Sequence, residues 1–358
     1  MKQRGVLIGC GFFANNHLNG WKSLPGAELV AVCDIDQEKA EQAAAQYGIP
    51  RVYTDAAVML AEEKPDFVDI VTTVPSHRPL VELACRAGAK VVICQKPFAE
   101  TQADGEAMVA AAEAAGAKLV IHENFRWQRS LIELKHRLDD GQIGTPHFAR
   151  FQFRTHYDIY SKQPYLAQTE RFLIFDVGLH LFDLVRHFMG EVAHLTCQTQ
   201  SLNPIVRGED SFTSLLRHTS GAVSVVDASY YTWHSPEIFP QTLARIEGDA
   251  GTLELLEGYR LRLHTPDGLE EFDVEPSVPS WGEKPWHGVQ DSVARFQSHV
   301  LDILKGHAEP QPSGVDNLKT LALALAAYDS AQTGIGHDPI PLGSGPRVVI
   351  YSSVATDL

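Results

Sequence analysis

The 358-residue sequence is poor in cysteine, short of positive charge and free of long apolar runs. Its five cysteines, at 10, 33, 85, 94 and 197, include no Cys-x-x-Cys pair. That argues against a disulfide framework and a zinc ribbon, and fits a reducing compartment. Thirty Lys and Arg face 45 Asp and Glu, a formal net charge of −15. Such a field repels polyanions, which argues against a nucleic-acid partner and, more weakly, against a highly anionic substrate. The 16 histidines add positive charge only below a pH of about 6.5. No run approaches the ~18 apolar residues of a membrane span. The opening Met1-Lys2-Gln3-Arg4-Gly5-Val6-Leu7-Ile8-Gly9 enters a strand at once, without the apolar core and cleavage site of a secretory signal. The expectation is a cytoplasmic protein with no membrane partner.

What is present is an ordinary globular balance, 44% hydrophobic and 21% charged residues, without the bias of disorder or collagen. The length is about twice the usual ~100–200 residues of a domain, which excludes a single small binding module. No internal repeat or low-complexity linker appears.

From Gly5 to about His122, short runs that are apolar throughout alternate with Ala/Glu/Gln-rich helical segments. These runs are Val6–Ile8, Leu29–Cys33, Phe67–Val71, Val91–Cys94 and Lys118–Ile121. Buried strands separated by helices read as βαβ units of a doubly wound parallel sheet. After Gly144-Thr145-Pro146 the strands lengthen and acquire period-two character, at 147–155, 211–217, 223–231 and 251–256. They read as antiparallel strands with one exposed face. Helical stretches near 176–189, 287–306 and 315–333 make this half α+β. The expected division is a dinucleotide-binding domain over 1–124, a substrate-binding and oligomerisation domain over 125–340, and a tail over 341–358.

Gly9-Cys10-Gly11-Phe12-Phe13-Ala14 follows the first strand and opens a helix, the context in which G-x-G-x-x-G/A has a mechanism. The first Gly allows the tight turn, the second lets backbone approach a pyrophosphate, and the small Ala14 packs helix on sheet. Phosphate then meets the helix N-terminus; a turn required only for packing is the blander alternative. Asp34 ends the second strand, 23 residues after Gly11, near the ~20 expected of a ribose-binding carboxylate. Its charge opposes a 2′-phosphate and so favours NAD over NADP. The alternative for Asp34 is a helix N-cap, a role that Asp36 fills better.

Phe172–Met189 is apolar almost all round, and its polar residues are not scattered. Asp176, His180, Asp183 and His187 are spaced i, i+4, i+7 and i+11, on one face of a regular helix within about 60°. Buried ionisable groups must be paired, so the stripe either forms a satisfied internal network or lines a polar cavity. Asp176 and His180, one turn apart, are what a general base with an orienting carboxylate needs. A metal site is the rival, but no Cys cluster or His-Glu-x-x-His supports it; no metal is expected.

Lys96 follows a buried strand, at the carboxyl edge where open α/β sheets bind ligands. A cation there stabilises an alkoxide; a surface lysine before a turn proline is the alternative. Thr72-Thr73-Val74-Pro75-Ser76-His77 occupies the corresponding edge after the preceding strand, with hydroxyls suited to a cofactor.

Taken together, Gly9-x-Gly11-x-x-Ala14, Pro75-x-His77, Ala87-Gly88, Gln95-Lys96-Pro97, Asn124-x-Arg126 and Asp176-x-Gly178-x-His180-x-x-Asp183 resemble the glucose-fructose oxidoreductase, inositol dehydrogenase and rhizopine catabolism (Gfo/Idh/MocA) family of NAD(P)-dependent oxidoreductases. The resemblance runs over residues 4–335. It implies a Rossmann domain, then a domain with an open-faced, mainly antiparallel sheet, the active site between them, and homodimers or homotetramers formed through that sheet. It also implies oxidation of a sugar or polyol hydroxyl by NAD. In that chemistry His180 takes the proton, Asp176 orients His180, and Lys96 holds the developing oxyanion. The implied cofactor site takes in Gly9, Gly11, Phe12, Phe13, Asp34, Thr72, Thr73, Pro75, His77, Gln95 and Asn124. Lys96, Arg126, His156, Tyr157, Arg171, Asp176 and His180 are the substrate-site candidates, with Trp286 and His287 beside them, because carbohydrate pockets need donors and aromatic faces.

Gln95 stands where the family pattern has Glu, a departure expected to alter fine tuning around Lys96. Within the family, the stretch from Gly9 through Asn16, His17 and Leu18 to Trp21 most resembles the members that oxidise C1 of the branched pentose apiose. A polyol dehydrogenase, an NAD-dependent glycosidase and a non-catalytic sugar sensor are the other readings. Intact Lys96, Asp176 and His180 speak against the sensor.

Overall fold

The computed structural model describes residues 2–339. The chain begins β1 (Gln3–Ile8), α1 (Ala14–Ser23), β2 (Ala27–Cys33), α2 (Gln37–Tyr47), β3 (Arg51–Tyr53) and α3 (Ala56–Glu63). It continues β4 (Phe67–Ile70), α4 (His77–Arg86), β5 (Val91–Gln95), α5 (Gln102–Ala115) and β6 (Lys118–His122). The six strands form one sheet in the order β3-β2-β1-β4-β5-β6, with every pair parallel. β4 and β5 are buried at every position, as strands covered by helices on both faces must be. The order reverses between β1 and β4, so the loops after these strands diverge and leave a crevice at the sheet's carboxyl edge. Gly9 and Thr72 lie there.

Asp36 caps α2, accepting from the amides of Glu38 and Lys39, so Asp34 is not spent on that role. Thr101 and Asp104 cap α5 reciprocally, side chain to amide and hydroxyl to carboxylate.

Beyond β6 come α6 (Arg129–Asp139), β7 (Pro146–Arg154), α7 (Leu179–Met189), β8 (Val192–Gln200), β9 (Ser211–His218) and β10 (Val223–Ser229). They are followed by β11 (Leu243–Gly248), β12 (Thr252–Leu256), β13 (Arg260–Thr265), β14 (Gly268–Asp273), α8 (His287–Leu304) and α9 (Gly314–Thr333). The second sheet runs β14-β13-β12-β11-β7-β10-β9-β8; its neighbours pair antiparallel except β7 with β10. In β9 Phe212, Ser214, Leu216 and His218 are buried, while Thr213, Leu215 and Arg217 are exposed. α7 packs on the buried face, with Phe182 against Phe212 and Phe188 against Phe151. The other face is open, as period two requires.

Two departures from the sequence reading matter. The helix expected to begin near 176 begins earlier, with a π-helical turn at Ile174–Gly178 that leads into α7. α8, late in the chain, packs on the first domain: Phe296, Val300 and Leu301 share a cluster with Trp21, Phe67 and Val91. The Gln297 side chain also donates to the His17 carbonyl at 3.0 Å. The tail expected over 341–358 lies outside the described residues. Among the described residues no helix is long and apolar enough to cross a membrane.

Candidate active site

Gly9 has φ +97°, and a Cβ there would lie 2.5 Å from the Val71 carbonyl oxygen, so the turn out of β1 requires glycine. Gly11 differs: a Cβ there would meet nothing within 4 Å. Protein neighbours therefore do not demand glycine at 11; its missing side chain keeps the space above the turn clear. The Cys10 amide donates to Asp34 Oδ2 at 2.7 Å and the Asp36 amide to Oδ1 at 2.9 Å, so the carboxylate at the end of β2 braces the turn. α1 starts without a side-chain cap, which leaves its amides to an anion. A clear space over the turn, free helix amides and an acid at the end of β2 fit a dinucleotide.

The loop after β4 is cross-tied. Ser76 Oγ lies 2.7 Å from both Thr72 Oγ1 and the Thr73 carbonyl, and Pro75 sits in the short turn between them. The His77 ring is fully buried, 3.1 Å from the Thr72 carbonyl and 3.2 Å from that of Phe98. It ties the β4 loop to the one after β5. Asn124, also buried, donates to Ser292 of α8 at 2.8 Å. Phe12 is 45% exposed beside the turn.

Lys96 leaves β5 and reaches the π-helical turn. Its Nζ lies 2.7 Å from Asp176 Oδ1 and 3.0 Å from the Asp176 carbonyl. Burial works to neutralise the ammonium, but Asp176 against it outweighs burial and holds it above its usual value. The Tyr230 hydroxyl donates to the other carboxylate oxygen at 3.2 Å. Burial, then the charge of Asp176, pushes that phenol well above its ordinary range. Tyr165 is also close enough for the charges of Asp176 and Lys96 to be felt at its phenol.

Asp176 and His180 are not paired with each other. In the π turn the Leu179 amide bonds back five residues to the Ile174 carbonyl, which rotates what precedes it relative to α7. Asp176 thus turns to Lys96, while His180 places Nδ1 2.5 Å from Oε2 of Glu123. The His180 ring lies flat on Phe125, centroids 4.0 Å apart at 6°. Burial alone would raise the Glu123 carboxyl, but His180 and Lys96 hold it below the usual carboxylate range. Sequence reasoning missed Glu123; its one cue was a carboxylate just after buried strand β6, the same edge logic that picked out Lys96.

Of the rest of the stripe, Asp183 is satisfied in an internal network. Arg126 grips Asp183 with two nitrogens, at 2.5 and 2.6 Å, and reaches Asp316 at 2.8 Å. Burial, with Arg126 and Lys135 nearby, pushes the His187 imidazole down to about 3, so it is neutral. Glu209, buried, accepts from the amides of Phe172 and Ile174 and from the Tyr328 hydroxyl at 2.6 Å. It caps the segment that presents Asp176.

The remaining substrate-site candidates are dispersed. His156 stacks on Trp233 at 3.7 Å. Tyr157 stacks on Phe239 at 4.1 Å, with the Trp286 edge 5.0 Å from the Phe239 ring. The Arg171 guanidinium lies over Tyr328 and Phe175, and buried His287 is 3.3 Å from Glu275. Lys96, Asp176, Tyr230, His180 and Glu123 are the groups the fold brings together. Among the described residues no group of three or more His, Cys, Asp or Glu is arranged to hold a metal ion.

Residues 4–123 match an oxidoreductase family with an NAD-binding Rossmann fold, and residues 131–254 match the GFO/IDH/MocA C-terminal domain. The chain is 50% identical over 331 residues to the D-apiose dehydrogenase of Paraburkholderia graminis, covering 92% of this chain and 88% of the relative. To the D-apiose dehydrogenase of Rhizobium rhizogenes it is 48% identical over 332 residues, covering 92% and 96%. In structure it is similar, at a TM-score of 0.93 and 47% identity, to an oxidoreductase from Agrobacterium radiobacter in complex with NAD+, L-tartaric acid and magnesium. That match covers 95% of this chain and 99% of the other. Domain order, the glycine turn and these likenesses agree: the chain belongs to the Gfo/Idh/MocA family of oxidoreductases, and its first domain is that family's NAD-binding Rossmann fold.

Proposed function

We propose that the protein is an NAD-dependent sugar dehydrogenase that oxidises the C1 hemiacetal hydroxyl of D-apiose to a lactone, which hydrolyses to the aldonate. The observation that carries this reading is the near-50% identity to two D-apiose dehydrogenases across 92% of the chain. The site supports it with an acid-base dyad and a cation where a sugar alkoxide forms.

His180 is the base. The Glu123 carboxylate, 2.5 Å from Nδ1, draws the ring proton to that nitrogen and leaves Nε2 to take one from the hydroxyl. Phe125 fixes the ring plane. Lys96 stabilises the oxygen as negative charge develops; Asp176, gripping Nζ and itself held by Tyr230, keeps the ammonium charged and aimed. Asp176 thus serves Lys96, and Glu123 takes the role of orienting His180. When bound, NAD would supply the hydride acceptor; the Gly9 turn, the α1 amides and Asp34 would hold it. The open face of the second sheet is the proposed surface for a homodimer or homotetramer.

The test is NADH formation with D-apiose, other aldoses, inositols and aryl glycosides, each with NAD and NADP. Turnover of D-apiose with NAD, and aldonate as product, supports the assignment. Turnover of an inositol alone would replace it with polyol oxidation, and aglycone release without net NADH would replace it with glycoside cleavage.

A further inference from the structure

Behind Lys96 lies a buried polar chain that the reaction as described does not use: Gln95, His17, Asp69 and Trp21 are at most 7% exposed. Its proton positions follow from its ends. A backbone N–H only donates, and the Lys96 amide lies 2.8 Å from Gln95 Oε1. That assigns the carboxamide: its oxygen faces Lys96, and its NH2 faces His17 Nε2 at 3.2 Å. An NH2 only donates, so Nε2 accepts and carries no proton. The ring proton is then on Nδ1, 2.8 Å from Asp69 Oδ2, and the Trp21 indole N–H donates to the same oxygen at 2.7 Å.

We propose that Gln95 is a positioning residue for Lys96, holding its amide through a chain in which His17 is locked as the neutral Nδ1–H tautomer. A glutamate at 95 does something different. One carboxylate oxygen can still accept the Lys96 amide, but the other has no hydrogen for His17, and two acceptors would face each other. The conflict is relieved by one added proton, which in the proposed arrangement goes to His17 and makes it an imidazolium between two carboxylates. The amide at 95 therefore chooses the charge state of the histidine, and removes a titratable link from the support of Lys96.

The elements packed around His17 bring one carboxylate to it and otherwise uncharged groups. Asp69 on β4 is the sole ionised group in hydrogen-bond reach among the described residues. From β6 the His122 ring packs at 4.3 Å, its pKa held well below its usual value chiefly by burial. From α1 Phe13 meets the ring edge-on, and from α8 Gln297 binds the His17 carbonyl. A second positive charge here would sit against His122, the residue before Glu123.

The kinetic part of this inference rests on the role proposed for Lys96; the tautomer does not, and is tested without turnover. In full-length protein with 15N-labelled histidine, the His17 signals are assigned by their loss in His17→Gln. At neutral pH wild type is expected to show the Nδ1–H pattern, and Gln95→Glu the doubly protonated one. A wild-type proton on Nε2, or a His17 pattern unchanged by Gln95→Glu, overturns the proposal, whatever the substrate proves to be. In kinetics, Gln95→Glu gains an ionisation absent from wild type, with kcat/KM falling about tenfold per pH unit above it. The double variant His17→Gln/Gln95→Glu, in which a carboxamide donates to the new carboxylate without titrating, loses that ionisation. Its persistence in the double variant would also overturn the proposal.

Discussion

Nδ1 of His180 lies 2.5 Å from a carboxylate oxygen of Glu123, a residue 57 positions earlier that directly follows the Rossmann sheet's last strand. The proposed base and its orienting acid thus come from different domains, and the pair exists only when β6 and α7 are docked. Glu123→Gln keeps the shape but can offer an N–H to the ring, which favours the wrong tautomer. The expected loss in kcat is about 10²- to 10⁴-fold, with KM for NAD little changed. Glu123→Asp should recover part of it. Steady-state kinetics with NAD varied at saturating sugar check this; a Glu123→Gln enzyme at wild-type kcat would remove Glu123 from its role.

Asp176 holds Lys96 above its usual pKa against burial. Asp176→Asn removes the main opposition to burial, so the Lys96 pKa falls. In the proposed mechanism cationic Lys96 is the competent form, and the cation is lost as pH rises through its pKa. The alkaline limb of kcat/KM should therefore move to lower pH in Asp176→Asn. A pH–rate profile of both proteins tests this, and an unmoved alkaline limb contradicts it.

Most of the fold was legible because its patterns are local. Runs such as Val91–Cys94, apolar at every position, can only lie inside a covered parallel sheet, and Asp36 versus Asp34 was decided by cap position alone. The site was legible where chemistry follows from a strand end, as at Lys96. It was not legible where one extra residue in a helical turn changes direction. The i, i+4 spacing of Asp176 and His180 assumes a regular helix, and the π turn at 174–178 breaks that assumption. Glu123 carries no periodic cue, since its partner is supplied by tertiary docking. Arg126 looked like a sugar contact in sequence, yet its guanidinium is taken by Asp183 and Asp316.

Asp34 braces the Cys10 amide and has lone pairs left for a ribose hydroxyl. Asp34→Ser removes a charged acceptor worth about 1.5–3 kcal/mol, so KM for NAD should rise roughly ten- to a hundredfold. Loss of the charge also lifts repulsion of a 2′-phosphate, and the NAD-to-NADP preference should shrink by a similar factor. Comparing kcat/KM with both cofactors tests this; equal losses with both would show that Asp34 only supports the turn.

Asp316, at the start of α9, joins two arginines: one oxygen takes Arg126 and the other Arg186, each at 2.8 Å. Burial would raise its carboxyl, but Arg186 and Arg126 hold it below the usual carboxylate value. A pKa lower in the folded than in the unfolded chain stabilises above the unfolded value, and that contribution fades as pH falls through the folded one. Asp316→Asn should therefore lower stability at neutral pH, by about 1–3 kcal/mol once its partial exposure is allowed for. The gap from wild type should close as pH drops below the ordinary carboxylate range. Thermal melts of the two proteins across that range decide it. A gap that stays constant with pH would mean that Asp316 acts through shape and hydrogen bonding and that its charge contributes nothing.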